Sequence, residues 1–146
     1  MNTKRSLLPS LILAVCACAT GGRNDDGPRR VVGTIEHYGD PVRVEAPADV
    51  ARGADFRVTV VTYGGGCLHQ GDTEVEINGL SAVVTPYDID VTPTVPPGGA
   101  CTLELRQYRH DATLRFDRAG SATITFRGRR LPSGEIISVT RTVRVR

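Results

Sequence analysis

The sequence predicts a single all-β domain, a β-sandwich of about seven to nine strands. Three observations predict it. From residue 30 onward apolar residues recur with period two, the mark of half-buried strands. Gly, Pro, Asn and Asp punctuate the chain often enough to keep each run short. No long stretch carries the 3.6-residue period of an amphipathic helix.

Each run follows from its own residues. Val31, Gly33 and Ile35 alternate with Val32, Thr34 and Glu36, and Val42 and Val44 alternate with Arg43 and Glu45. Pro47 to Gly53 turns the chain into Phe56, Val58 and Val60, which alternate with Arg57, Thr59 and Val61. Gly64-Gly65-Gly66 ends that strand and reads as a flexible loop leading into Cys67. Val75 and Ile77 alternate with Glu74 and Glu76 and run into Asn78-Gly79, a hairpin-turn pair. Residues 81–92 read as one or two strands, broken at Pro86. Pro93 to Gly99 is a loop. Cys101, Leu103 and Leu105 then alternate with Thr102, Glu104 and Arg106 as a further strand. Leu114 and Phe116 precede a turn at Asp117 to Gly120, and Ala122, Ile124 and Phe126 form the next strand. The last strand runs from Ile136 to Val145. Strict alternation would point Arg141 inward with Ile137, Val139 and Val143, so a bulge shifts the register, or Arg141 sits at the rim, or, third, it is a functional inward Arg.

The first residues have a different character. Lys4 and Arg5 precede an apolar run from Leu7 to Val15, followed by small residues around cysteine, the layout of a secretory signal peptide. The run is far short of the roughly 20 residues that span a membrane. Val15-Cys16-Ala17-Cys18 resembles a bacterial lipobox, in which a lipidated cysteine becomes the mature N-terminus. Cys18 fits best, with aliphatic Val15 three positions before it and small Ala17 directly before it; Cys16 is the second candidate. Ordinary cleavage after Ala19 remains the alternative and would give a soluble exported protein. The resemblance implies residues 1–17 as signal, Cys18 as the lipidation site, and a diacyl-glyceryl group plus an amide-linked acyl chain as the anchor. Ala19 and Thr20 follow the cysteine where an acidic residue would imply retention at the inner membrane, so the outer membrane is expected. Residues 18–29 contain no large apolar residue and read as the lipidated, flexible tether; residues 30–146 form the domain.

With Cys16 removed and Cys18 lipidated, Cys67 and Cys101 remain, and two cysteines outside the cytoplasm are expected to pair. A metal reading competes with this: Cys67, His69, Cys101 and His110 offer four ligands, although their spacing matches no standard zinc pattern.

The strand Phe56–Tyr63 and the unit Ala112–Phe126, with its Asp-Arg-Ala-Gly turn and Ala-Thr-Ile-Thr-Phe strand, resemble bacterial Ig-like domains. The resemblance implies a single antiparallel Ig-like sandwich. The chain has no Trp to pack on a disulfide, and Cys67 lies beyond its strand. The bridge is therefore expected to staple loops and not to join the two sheets through the core.

Charge excludes one class of function. The formal net charge of +2 includes Lys4 and Arg5, so the chain after the signal is close to neutral and nucleic-acid binding is not expected. From Cys18 to Ala100 there are 6 Arg and 12 acidic residues, and from Cys101 to Arg146 there are 10 Arg and 4 acidic residues. The two parts thus carry −6 and +6, which predicts ion pairs between them.

Catalytic patterns are absent. No Gly-x-Ser-x-Gly surrounds Ser81, Ser121, Ser133 or Ser138, no His-Glu-x-x-His occurs, and no Gly-Lys-Ser/Thr follows the glycine run. Asp88 and Asp90 share one strand face and read as its solvent side. The expectation is a non-enzymatic, lipid-anchored envelope protein without a cofactor. It would contact the membrane through its anchor and another envelope protein through the loops bearing Cys67, His69 and Pro93 to Cys101. Tyr63, Tyr87 and Tyr108 are candidates for the same contact surface. The alternative is a metal-binding or enzyme-accessory domain using His69, His110 and Asp72.

Overall fold

The computed structural model describes residues 27–146. The signal segment, Cys16, Cys18 and the tether up to Asp26 lie outside the described residues. Ten strands follow in order: β1 (Arg29–Val32), β2 (Thr34–His37), β3 (Val44–Glu45), β4 (Asp49–Val50), β5 (Asp55–Gly64), β6 (Leu68–Asn78), β7 (Ser81–Asp90), β8 (Arg106–Arg115), β9 (Gly120–Leu131) and β10 (Ile136–Val145). A single 3-10 turn, Thr92–Thr94, is the one helical piece among the described residues. The chain is all-β, as its period-two pattern requires.

The strands join into one curled sheet that folds over its own core as a sandwich. Three long antiparallel pairs build it: β5 with β8, β6 with β7, and β9 with β10. Asn78 faces Ser81 across the β6–β7 turn, where Gly79 takes φ +60°. The inward set Ile35, Val58, Val60, Val84, Leu114, Phe116, Ile124, Phe126, Val143 and Val145 is almost wholly removed from water. At roughly 1.5–3 kcal/mol per fully buried large apolar side chain, this set is the main source of stability.

Three pairings are parallel, against the purely antiparallel expectation: β7 with β9, β2 with β9, and β4 with β10. The cause is the crossover through β8, which brings β9 back beside β7 in the same direction. β7 and β9 then diverge after Val84 and Phe126, and the N-terminal segment fills the gap. β1 pairs with the far half of β7 and β2 with the far half of β9. Gly33 is the junction: its N–H donates to Pro86 O at 2.9 Å, and its carbonyl accepts the Arg129 N–H at 2.8 Å.

This junction explains why β7 is one strand and does not break at Pro86. At Pro86 the neighbour of β7 changes from β9 to β1, and the β6 side carries a bulge between Gln70 and Thr73. A residue without an N–H is tolerated where the ladder is already interrupted. The strand expected at Cys101 to Leu105 is absent. β5 ends at Gly64, opposite Arg106, so the ladder has no partner further back. The β9–β10 register is continuous, so no bulge displaces Arg141. Arg141 takes the rim position, exposed, with its guanidinium donating to Thr140 O at 2.9 Å.

Candidate functional site

The end of the sandwich where β5, β7 and β1 meet the loops is built by the glycine run. Gly65 and Gly66 take φ +110° and +60°, open to Gly at no steric penalty. Leu68 and Gly65 exchange both backbone hydrogen bonds at 3.0 Å, making a tight turn with Cys67 at its tip. A Cβ on Gly65 would strike Glu104 O, and one on Gly66 would stand 2.5 Å from Thr102 O. The glycines are therefore a fixed seat for residues 101–105, where a flexible loop was expected.

The expected disulfide is present. Cys67 joins Cys101 across a separation of 34 residues, with a Cα–Cα distance of 5.3 Å. It staples two loops, because neither cysteine lies in a strand. Beside it, residues 91–99 are tied by backbone hydrogen bonds: Val91 N–H donates to Cys67 O at 2.9 Å, Thr94 N–H to Val91 O at 2.9 Å, and Gly99 N–H to Pro96 O at 2.8 Å. The Tyr108 hydroxyl donates to Leu68 O at 2.8 Å while its ring packs beside Gly64. On this frame Leu103 is fully exposed, at 106 %, and Leu105 is 57 % exposed.

The expected contact residues divide. His69 is exposed on β6, opposite Ile89. Tyr108 is half-buried against the staple. Tyr87 is half-buried, with the Arg30 guanidinium carbon 3.2 Å from its ring centroid. Tyr63 does not reach the surface. It is 3 % exposed and stacks on His37, because the β2–β5 pairing places its ring inside. Leu103 and Leu105 were missed as surface residues because alternation assigned them to an inward strand face. The usable signal was the preceding composition: Val91 to Leu103 contains no charged residue.

Chemistry-bearing residues gather in the core instead. Asp88, expected on the solvent side, is 1 % exposed, and His110, a candidate metal ligand by sequence, lies within β8 at 2 % exposure. Thr62 Oγ1 donates to Asp88 Oδ1 at 3.2 Å; His110 Nε2 lies 3.0 Å from Thr62 Oγ1 and 3.3 Å from Asp88 Oδ1. Thr73 Oγ1 lies 3.3 Å from His110 Nδ1. Every buried side-chain polar atom of this set has a hydrogen-bond partner. A hydroxyl, an imidazole and a carboxylate are thus together, but without the geometry of a catalytic triad. A triad sets the acid on one ring nitrogen and the nucleophile on the other; here both sit on Nε2, and the hydroxyl of Thr62 is sealed from substrate.

The residues of the metal alternative do not converge. His69 faces solvent, His110 faces the core, and Cys67 and Cys101 are joined to each other. Asp72 accepts two hydrogen bonds from Arg30, at 2.8 and 2.9 Å, which hold its carboxyl below the usual carboxylate range. Among the described residues no three His, Cys, Asp or Glu side chains are gathered to hold a metal ion.

Part of the charge is paired within the fold. Arg109 reaches Glu45 at 2.9 Å, Arg130 reaches Glu36 at 2.8 Å and Arg146 reaches Asp49 at 2.8 Å, each joining the basic later part to the acidic earlier part. The same Asp49 and Arg144 line a depression of about 500 Å³ at the opposite end, between β4, β9 and β10. No protein-family model, curated protein or solved structure matches the chain.

Proposed function

We propose that this is a lipid-anchored bacterial envelope protein. Cys18 carries the lipid, and an Ig-like sandwich acts as a non-enzymatic binding or structural module through its disulfide-stapled end. The single observation that carries the contact surface is Leu103, a large apolar side chain fully exposed on a loop held by the Cys67–Cys101 bridge and the Gly65–Gly66 seat. An exposed apolar group on a segment pinned by a covalent bridge loses less conformational entropy on contact than one on a free loop, which favours a binding role. The lipobox-like residues around Cys18 and the apolar run before them support export and anchoring, with the outer membrane as the destination. The non-enzymatic reading is supported by the sealing of Thr62, Asp88 and His110 in the core and by the separation of His69 from His110.

The test is photo-crosslinking in intact cells with a reagent that captures lipid and protein alike, comparing the wild-type chain with Leu103→Asp/Leu105→Asp. Loss of crosslinked products from the folded variant is expected. Products that persist unchanged would remove the loop end as the contact surface.

A further inference from the structure

We infer that the loop tip bearing Leu103 and Leu105 rests in the headgroup layer of the phospholipid bilayer that holds the chain's own anchor; this rests on the lipid-anchor reading above. The inference begins with where the chain enters the fold. Arg29, the first residue of β1, pairs with Asp90, the last residue of β7, and Asp90 pairs on its other side with Leu68. The next residue, Val91, is bonded to Cys67, which is joined to Cys101. The point where residues 1–26 join the domain and the apolar tip are therefore on one end of the sandwich.

Chain length limits how far that end can stand from the bilayer. Ten residues lie between Cys18 and Arg29, and the eleven Cα–Cα steps from one to the other span at most about 40 Å even fully extended. The sandwich itself is comparably long: β6, at 11 residues, measures roughly 37 Å. An anchor at Cys18 thus keeps the disulfide end, and not the opposite end, within easy reach of the membrane surface.

The chemistry of the tip fits that neighbour. Across Val91 to Leu103 there is no charge, and the apolar members Val95, Pro96, Pro97 and Leu103 outnumber the hydroxyls of Thr92, Thr94 and Thr102; Glu104, between the two leucines, is paired with Arg106 at 3.0 Å, which places a neutralised pair at headgroup level. Internal hydrogen bonds of residues 91–99 reduce the penalty of leaving water for that part of the loop, and the backbone of 100–105 can keep its bonds to water and headgroups. Burial at headgroup depth does not require the closed hydrogen bonding that the hydrocarbon core demands. Two leucines bind weakly alone, but beside an anchor they act at high effective concentration. Their contribution is orientation: they set the loop end down and leave the Asn78–Ser81 hairpin pointing away.

The chain has no Trp, so a single indole reports its own surroundings. The mature acylated protein carrying Leu103→Trp is reconstituted into phosphatidylethanolamine–phosphatidylglycerol vesicles, with and without brominated acyl chains. Ile77→Trp, at the far end of β6 and 45 % exposed as Ile, is the control. The expected result is blue-shifted emission that loses most of its intensity to brominated lipid for Leu103→Trp, and water-like, unquenched emission for Ile77→Trp. Intact mass measured on the same samples decides the anchor separately. Acyl mass at Cys18 with an unquenched Leu103→Trp overturns the bilayer contact and leaves the anchor. If that indole becomes shielded only in native envelopes, the occupant is a protein, which also overturns the inference. A chain without acyl mass overturns the anchor reading and this inference with it.

Discussion

Gly33 owes its identity to Thr62. A Cβ built on Gly33 would stand 2.5 Å from Thr62 Cγ2, and also 3.1 Å from Asp88 Oδ2 and 3.3 Å from Pro86 O. The backbone of Gly33 needs no left-handed conformation, so its requirement is for space alone. That space lies where β1 and β2 wedge between β7 and β9 and where the buried Asp88 is held.

Gly33→Ala is therefore expected to destabilise by about 1–3 kcal/mol, the usual range for overpacking a closed site. Urea unfolding measures it. Combining it with Thr62→Ser, which removes Cγ2, should recover much of the loss. A single Gly33→Ala as stable as the wild type would mean that the junction relaxes freely.

The buried polar cluster makes a non-additive prediction. Asp88→Ala removes the acceptor that Thr62 and His110 share; these two can still pair with each other at 3.0 Å, so one buried donor is left unpaired at roughly 1–3 kcal/mol beside a new cavity. Replacing all three, with Thr62→Val, Asp88→Leu and His110→Leu, removes the unpaired groups together. Exchanges of this kind are often neutral or stabilising. The triple variant is expected to be more stable than Asp88→Ala by urea midpoint. The opposite order would show that the cluster stabilises beyond satisfying its own members.

Much of this arrangement was legible in the chain, and its failures have physical causes. Period-two alternation placed Ile35, Val58, Val60, Leu114, Phe116, Ile124 and Phe126 inside, because a strand with one buried face has no other register. The cysteines could be paired by context and then by the position of Cys67 beyond its strand. Asp88 was misplaced because alternation gives the face and not what fills it, and only the fold brings Thr62, Asp88 and His110 together. Leu103 was misplaced because alternation presupposes a partner strand, and whether one exists past Gly64 is a property of topology. The wedge of β1–β2 left only Gly33 in mid-strand as its trace.

Acid should weaken the fold in part through Asp111. Its carboxylate accepts the Thr59 hydroxyl at 2.6 Å, and that bond, followed by the charges of Arg109 and Arg57, holds its pKa below the ordinary value. A carboxyl whose pKa is lower in the folded state stabilises above its unfolded pKa, and that stability is lost as pH falls through the folded pKa. Thr59→Val removes the principal cause. The variant should be less stable than the wild type at neutral pH, and the gap should narrow below about pH 4, the unfolded Asp range. Urea midpoints across that range test it. A gap that stays constant with pH would mean that Thr59 acts through packing alone.

The disulfide makes the most local prediction. By the chain-entropy account, a bridge closing a separation of 34 residues is worth about 3–4 kcal/mol, so Cys67→Ser/Cys101→Ser should lower the unfolding free energy by about that much. The greater consequence is where protection disappears. Residues 91–105 hold to the sandwich through Cys67, the Val91–Cys67 hydrogen bond and the glycine seat, whereas β9 and β10 are bound to each other along their whole length. Amide exchange in the variant should therefore quicken across residues 91–105 and at the start of β8 while β9 and β10 keep their protection. Uniform loss across the chain would make the bridge a constraint on the unfolded state alone. Free thiols at Cys67 and Cys101 in the non-reduced wild-type protein would remove the staple itself, and with it the rigid presentation of Leu103.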